Sequence, residues 1–125
     1  MPGEKPLILV VDDSTTWTYV VEKALGTVHF NIQKSHDPKE VKALLQQITP
    51  QLIILDCLMP EITGLDLIPI IREFPEHKNT PIIMLTGDET PETLNSAADL
   101  GVSEFLLKKR ASSELRDIVD HHLNK

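Results

Sequence analysis

Leu7-Ile8-Leu9-Val10-Val11 is apolar at every position and stops at two acids, Asp12 and Asp13. A strand burying one face would alternate with polar residues. A run without alternation predicts a strand covered on both faces, as in a parallel sheet. The same pattern recurs at Leu52-Ile53-Ile54-Leu55, which stops at Asp56. If the two strands lie side by side, their carboxyl ends bring three negative charges into one small pocket. Two unit charges about 5 Å apart at an effective dielectric of about 20 repel by roughly 3 kcal/mol. A fold that accepts such repulsion usually holds a cation there, and an all-oxygen ligand set suits a hard one such as Mg²⁺.

Outward from these two runs, strands and stretches of helical period alternate five times. The spacing predicts a helix from about Ser14 to Leu25, with Trp17, Val20, Val21 and Ala24 on one side. Phe30 to Ser35 reads as a weaker, alternating edge strand. Asp37-Pro38 then opens a helix, the acid as cap and the proline preorganised for the first turn. Its buried face is Val41, Leu44, Leu45 and Ile48. After Asp56 a loop through Met59-Pro60-Glu61 reaches Gly64, and a helix carrying Leu67, Ile68 and Ile71 runs to about Glu73. Pro69 within it requires either a place near the first turn or a bend. Pro81 to Leu85 is a fourth strand, and Thr90-Pro91 repeats the cap-plus-proline signal for a helix ending at Gly101. Glu104 to Leu107 is the fifth strand. Ser112 is expected to cap a last helix with Leu115, Ile118, Val119 and His122 on its inner face. Five such units predict an α/β fold: a doubly wound parallel five-stranded sheet with right-handed crossovers. Ligands of such sheets bind outside the carboxyl ends of the strands, where the strand order reverses.

The 125 residues fit one domain with no need of a disulfide. Nineteen acidic against twelve basic residues leave a formal charge of −7, which argues against nonspecific contact with nucleic acid or an anionic membrane. Aromatic residues at 4% make a base-stacking platform improbable. One cysteine, Cys57, excludes an internal disulfide and suits a reducing compartment. No apolar run reaches the roughly 20 residues of a membrane span. The first residues, Met1 to Pro6, lack the pattern of a signal peptide. The expectation is a cytoplasmic protein.

Two further polar residues close strands: Thr86 after Ile82-Ile83-Met84-Leu85, and Lys108 after Glu104-Phe105-Leu106-Leu107, with Lys109 and Arg110 as alternative cations. Three carboxylates, a hydroxyl, an ammonium and an inferred divalent cation suit an aspartate that accepts a phosphoryl group. The carboxylate is the nucleophile, and the cations offset charge on the phosphoryl oxygens.

At these positions the chain resembles the receiver domain of two-component response regulators (the CheY-like domain). The matching residues are Val10-Val11-Asp12-Asp13-Ser14, Leu55-Asp56 with Met59-Pro60 and Gly64, Leu85-Thr86-Gly87, and Phe105-Leu106-Leu107-Lys108. The resemblance runs from about Leu7 to Leu123. It implies a flavodoxin-like (βα)5 fold with strand order 2-1-3-4-5, and a single receiver domain over residues 1–125 with its core at about 6–123. It implies Asp56 as phosphoacceptor and Asp12, Asp13, Asp56 and the backbone carbonyl of Leu58 as ligands of Mg²⁺, with Mn²⁺ as a substitute. Thr86 and Lys108 fall on residues that contact the phosphoryl group, and Thr86 and Phe105 on the pair that switches with activation. The implied phosphodonor is a sensor histidine kinase or phosphotransfer protein. The implied output is a downstream protein or domain reached through the face of the fourth helix, fifth strand and last helix. Such a domain is no enzyme; its chemistry is confined to its own phosphorylation and autodephosphorylation.

The resemblance departs at residue 109. The family's lysine is usually followed by proline in a cis peptide, whereas Lys109 follows here. A cis bond before a non-proline residue costs roughly 3–4 kcal/mol, so this loop is either strained or trans. The second helix also has Asp37-Pro38 where a glycine is common. Two competing functions are a phosphate-independent interaction domain with the same fold and an aspartate-based Mg²⁺ phosphohydrolase. The first usually lacks one of the acids or the lysine, all present here. The second needs an acid two positions after its nucleophile, where this chain has Leu58. Leu58 and Glu89 are placed to tune hydrolysis. With no output region after the fifth helix, the chain is expected to be a stand-alone receiver or one cut from a larger protein.

Overall fold

In the computed structural model, which describes residues 5–87 and 91–124, the five apolar runs form one parallel sheet. The strands are β1 (Leu7–Val11), β2 (Asn31–Ser35), β3 (Leu52–Asp56), β4 (Ile82–Thr86) and β5 (Glu104–Leu107), in the order β2-β1-β3-β4-β5. The chain leaves β1 toward one edge and returns past it to β3, so the order reverses between β1 and β3. The helices are α1 (Thr15–Leu25), α2 (Val41–Leu45), α3 (Gly64–Arg72), α4 (Pro91–Asp99) and α5 (Ala111–Leu123).

Unbroken apolar strands give each sheet face its own core. Leu9, Val11, Ile53, Leu55, Ile82 and Met84 pack with Val41, Leu45, Leu67, Ile68, Ile71 and Ala97 from α2, α3 and α4. The alternate residues Ile8, Val10, Ile54, Ile83, Leu85 and Leu106 pack with Val21, Leu25, Leu115 and Val119 from α1 and α5. The two-sided burial expected of β1 and β3 is thus observed, and β4 shares it. β2, an edge strand, alternates between exposed and less exposed positions.

Several local expectations change. Phe30 precedes β2 and is buried in the α1–α5 core. Asp37 does cap, accepting from the Lys39 amide at 3.0 Å, but Pro38–Glu40 forms a 3₁₀ turn and α2 itself spans only Val41–Leu45. Pro69 is the sixth residue of α3, past the first turn; the helix runs only three residues further, so few ladder bonds follow the missing N–H. Gly101 takes the left-handed φ of +83° after α4, as expected of a terminator. Ser112 is not a cap. A 3₁₀ turn, Lys108–Arg110, runs straight into α5, and Arg110 has helical dihedrals where a capping residue needs extended ones. Glu89 and Thr90, the expected cap of the fourth helix, lie outside the described residues.

Candidate functional site

The register of the sheet sets the site. Val11 is level with Leu55 across the β1–β3 pair, so the next residues, Asp12 and Asp56, reach the same end together. Asp12 is held by its turn: its Oδ1 accepts from the Ser14 amide at 3.0 Å, and Ser14 Oγ accepts from the Trp17 amide at 3.3 Å to cap α1. Asp56, the last residue of β3, is fixed from behind by Gly64. A Cβ on Gly64 would lie 2.2 Å from the Asp56 carbonyl oxygen, so only glycine fits. The Gly64 amide donates to the Cys57 carbonyl at 2.9 Å, and a capping box between Thr63 and Asp66 starts α3 there. The sequence motif includes Gly64, but only the structure supplies this steric reason.

Carboxylate oxygens of Asp12, Asp13 and Asp56 lie within 4.8 Å of one another. Asp12 and Asp56 are buried and Asp13 is exposed, so the cluster opens to solvent on the Asp13 side. Lys108, not Lys109 or Arg110, meets them: its Nζ is 3.1 Å from Asp12 Oδ2 and 3.2 Å from Asp56 Oδ1. Among the described residues, no peptide is cis, so the Lys108–Lys109 bond is trans and continues into the 3₁₀ turn. One ammonium among three acids leaves an excess of negative charge. Burial, then the Asp12 carboxylate, pushes the Asp56 pKa up to about 6, while the Lys108 ammonium pulls it down. Three converging oxygen donors short of positive charge fit a hard divalent cation of the Mg²⁺ kind.

Thr86 ends β4, fully buried, and shares a cavity of about 190 Å³ with Lys108, Gly87, Leu107 and Lys109. Phe105 on β5 is level with Met84 and packs, partly buried, against the α2–α3–α4 core. The Leu58 side chain is exposed at 59%, and the chain then turns tightly, with Glu61 at a φ of +68° and the Ile62 amide donating to Pro60 O at 2.7 Å. A cavity of about 280 Å³ beside Asp13 is lined by His36, Lys39, Pro60 and Glu61. Cys57 is buried. His122, near the end of α5, has its Nε2 3.2 Å from Glu104 Oε1 on β5. Trp17 sits on the site, with Lys108 Nζ 5.0 Å from its ring centroid. The sequence puts Trp17 on one side of α1 and gives no sign of this contact.

Four likenesses to known proteins bear on this geometry. The model of the response regulator receiver domain matches residues 8–120. Chemotaxis protein CheY-3 of Vibrio cholerae is 30% identical over 114 residues, covering 90% of this chain and 88% of that protein. Protein RcaC of Microchaete diplosiphon is 27% identical over 118 residues, 94% of this chain, which spans only 18% of that longer relative. Among solved structures, chemotaxis protein CheY4 of Vibrio cholerae superposes with a TM-score of 0.89 at 28% identity, covering 96% of this chain and 100% of that one.

Proposed function

This chain belongs to the response regulator receiver family, and on that premise we propose that it carries a phosphoryl group on Asp56, taken from a sensor histidine kinase or phosphotransfer protein. The observation that carries the reading is the charge imbalance: Asp12, Asp13 and Asp56 within 4.8 Å, with Lys108 as the one ammonium bridging two of them. In the transfer, an Asp56 Oδ atom attacks phosphorus in line. The new O–P bond forms as the P–N bond of the donor phosphohistidine breaks, and the imidazole leaves with the electron pair. A carboxyl with a pKa of about 6 is ionised by roughly ten to one at pH 7, and burial makes it a stronger nucleophile than a solvated carboxylate. Lys108 offsets charge on the transferred oxygens, and the Thr86 hydroxyl donates to one of them from the shared cavity.

Mg²⁺, or Mn²⁺ in its place, would be held by Asp12, Asp13, Asp56 and the Leu58 carbonyl, and supplies charge neutralisation and positioning. A phosphate brings about −1.5 to −2 charge to the pocket. Thr86 would then move toward it, Phe105 would turn into the vacated space, and the α4–β5–α5 face would change for a downstream protein or output domain. The size of that shift is bounded by how differently the phosphate contacts the two states.

The exposed apolar Leu58 provides no acid or base two positions after Asp56, which favours a signalling domain acting on its own side chain over a phosphohydrolase. No helix among the described residues is long and apolar enough to cross a membrane; with the single Cys57 this supports a cytoplasmic setting, and the domain core is taken as about residues 6–123. The test is incubation with acetyl phosphate, with and without Mg²⁺, followed by intact-mass measurement. Wild type is expected to gain one phosphoryl group with Mg²⁺ only, and Asp56→Asn none; equal gain in both proteins would overturn the assignment.

A further inference from the structure

Lysine has four rotatable side-chain bonds, and Lys108 must hold its ammonium within about 3 Å of two acids to be useful in transfer. The 3₁₀ turn that carries it fixes the backbone but not those side-chain bonds, and no side chain caps α5. The indole of Trp17 supplies what the backbone does not. Its ring centroid lies 5.0 Å from Lys108 Nζ, inside the range in which a cation is attracted to the face of an aromatic ring. The ammonium is also sheltered from water: the Lys108 side chain is 13% exposed although it comes from a turn whose next two residues are exposed.

The ring is itself tied to the acids. The Trp17 amide donates to Ser14 Oγ at 3.3 Å, the Ser14 amide donates to Asp12 Oδ1 at 3.0 Å, and Asp12 Oδ2 meets Lys108 Nζ at 3.1 Å. The contacts Asp12–Ser14–Trp17–Lys108–Asp12 therefore close into a circuit, in which the turn that aims Asp12 also aims the indole. We propose that Trp17 is a positioning residue for phosphoryl transfer, holding the Lys108 ammonium over Asp12 and Asp56 through its π face. The inference rests on the phosphoacceptor reading of Asp56, and it extends that reading to a residue outside the strand ends.

The experiment has two arms. In the first, the rate of phosphoryl gain from acetyl phosphate with Mg²⁺ is followed by intact mass for wild type, Trp17→Phe and Trp17→Leu. A small donor keeps partner docking out of the rate. Trp17→Leu keeps an apolar side chain without a π face and is expected to slow the reaction about five- to thirty-fold, the factor that 1 to 2 kcal/mol of lost cation–π attraction represents. Trp17→Phe is expected to recover part of that loss. Wild-type speed in Trp17→Leu, or equal slowing in both variants, would overturn the proposal. The second arm needs no phosphorylation. Trp17 is the only tryptophan, so its emission reports one site. Replacing Lys108→Met is expected to change emission intensity or maximum in the metal-free protein, and unchanged emission would overturn the contact. A wild type that gains no phosphoryl group while its emission still responds to Lys108→Met would sink the phosphoacceptor reading and leave the Trp17–Lys108 contact standing.

Discussion

At the carboxyl ends of the strands, Asp12 and Asp56 are buried and share one ammonium, Lys108, while Asp13 adds a third negative charge. At the amino ends of β4 and β5, by contrast, buried polar groups meet neutral partners, although His77 Nε2 is left without one. Arg72, from the end of α3, donates to His77 O at 2.9 Å, Thr80 O at 2.6 Å and Gly101 O at 3.2 Å, tying the α3–β4 and α4–β5 connections together. His77 is fully buried, its Nδ1 2.8 Å from Thr80 Oγ1, and burial holds its pKa below the usual histidine value, with Glu76 opposing and Arg72 reinforcing the shift. Burial therefore disfavours the charged form at both ends. At one end the affected group is the buried His77 imidazole. At the other it is an acid whose proposed chemistry needs the ionised form. Neutral hydrogen-bond partners mark scaffold here, and an excess of like charge marks the residues that could hold a cation.

Changes at the two ends should separate stability from phosphoryl uptake, and the largest effect is expected at the carboxyl end. Gly64→Ala forces a Cβ against the Asp56 carbonyl oxygen, where backbone must give way. A loss of about 3 kcal/mol in urea unfolding is expected, together with slower phosphoryl gain because Asp56 moves. At the amino end, Arg72→Ala leaves three carbonyls to find other donors and should cost about 2 kcal/mol by the same measurement. Its rate of phosphoryl gain from acetyl phosphate should equal that of wild type. A marked loss of rate would show that the two ends are not independent.

The smallest effect is a pH slope. Because the folded-state pKa of His77 is lowered, the unfolded chain binds the proton that the native state refuses. The stability His77 contributes is present above the unfolded value of about 6.5 and is lost as pH falls below it. His77→Gln should flatten that part of the stability–pH curve. A slope retained in the variant would assign it to another group.

The carboxyl end was far more legible in the sequence than the amino end. Strand identity, two-sided burial and the convergence of Asp12, Asp13 and Asp56 all follow from apolar runs that stop at acids, because register between neighbouring strands carries their ends to the same level. Thr86 and Lys108 follow by the same logic at β4 and β5. The Arg72 contacts leave no such trace: a lone arginine after an apolar helix face gives no sign of which carbonyls will surround it. The Trp17–Lys108 contact joins α1 to the turn before α5, and no periodicity records a meeting of side chains so far apart in the chain. Ser112 was misread for a local reason, since residue type suggested a cap while the preceding 3₁₀ turn had already supplied helical dihedrals.

The unmatched charge itself can be weighed by comparing urea unfolding of wild type and Asp56→Asn at pH 7.5, in chelator and then in Mg²⁺. With a folded-state pKa of about 6 against an ordinary value of 3.8, the native state holds the Asp56 proton more tightly than the unfolded chain does. The resulting stability is fully present below the lower value and lost as pH rises through the upper one. Asparagine, neutral throughout, should therefore be the more stable protein in chelator, by on the order of 2 kcal/mol. Mg²⁺ should stabilise wild type well beyond Asp56→Asn and narrow or reverse that gap. Equal stability of the two proteins in chelator, with no preferential gain for wild type in Mg²⁺, would contradict the account.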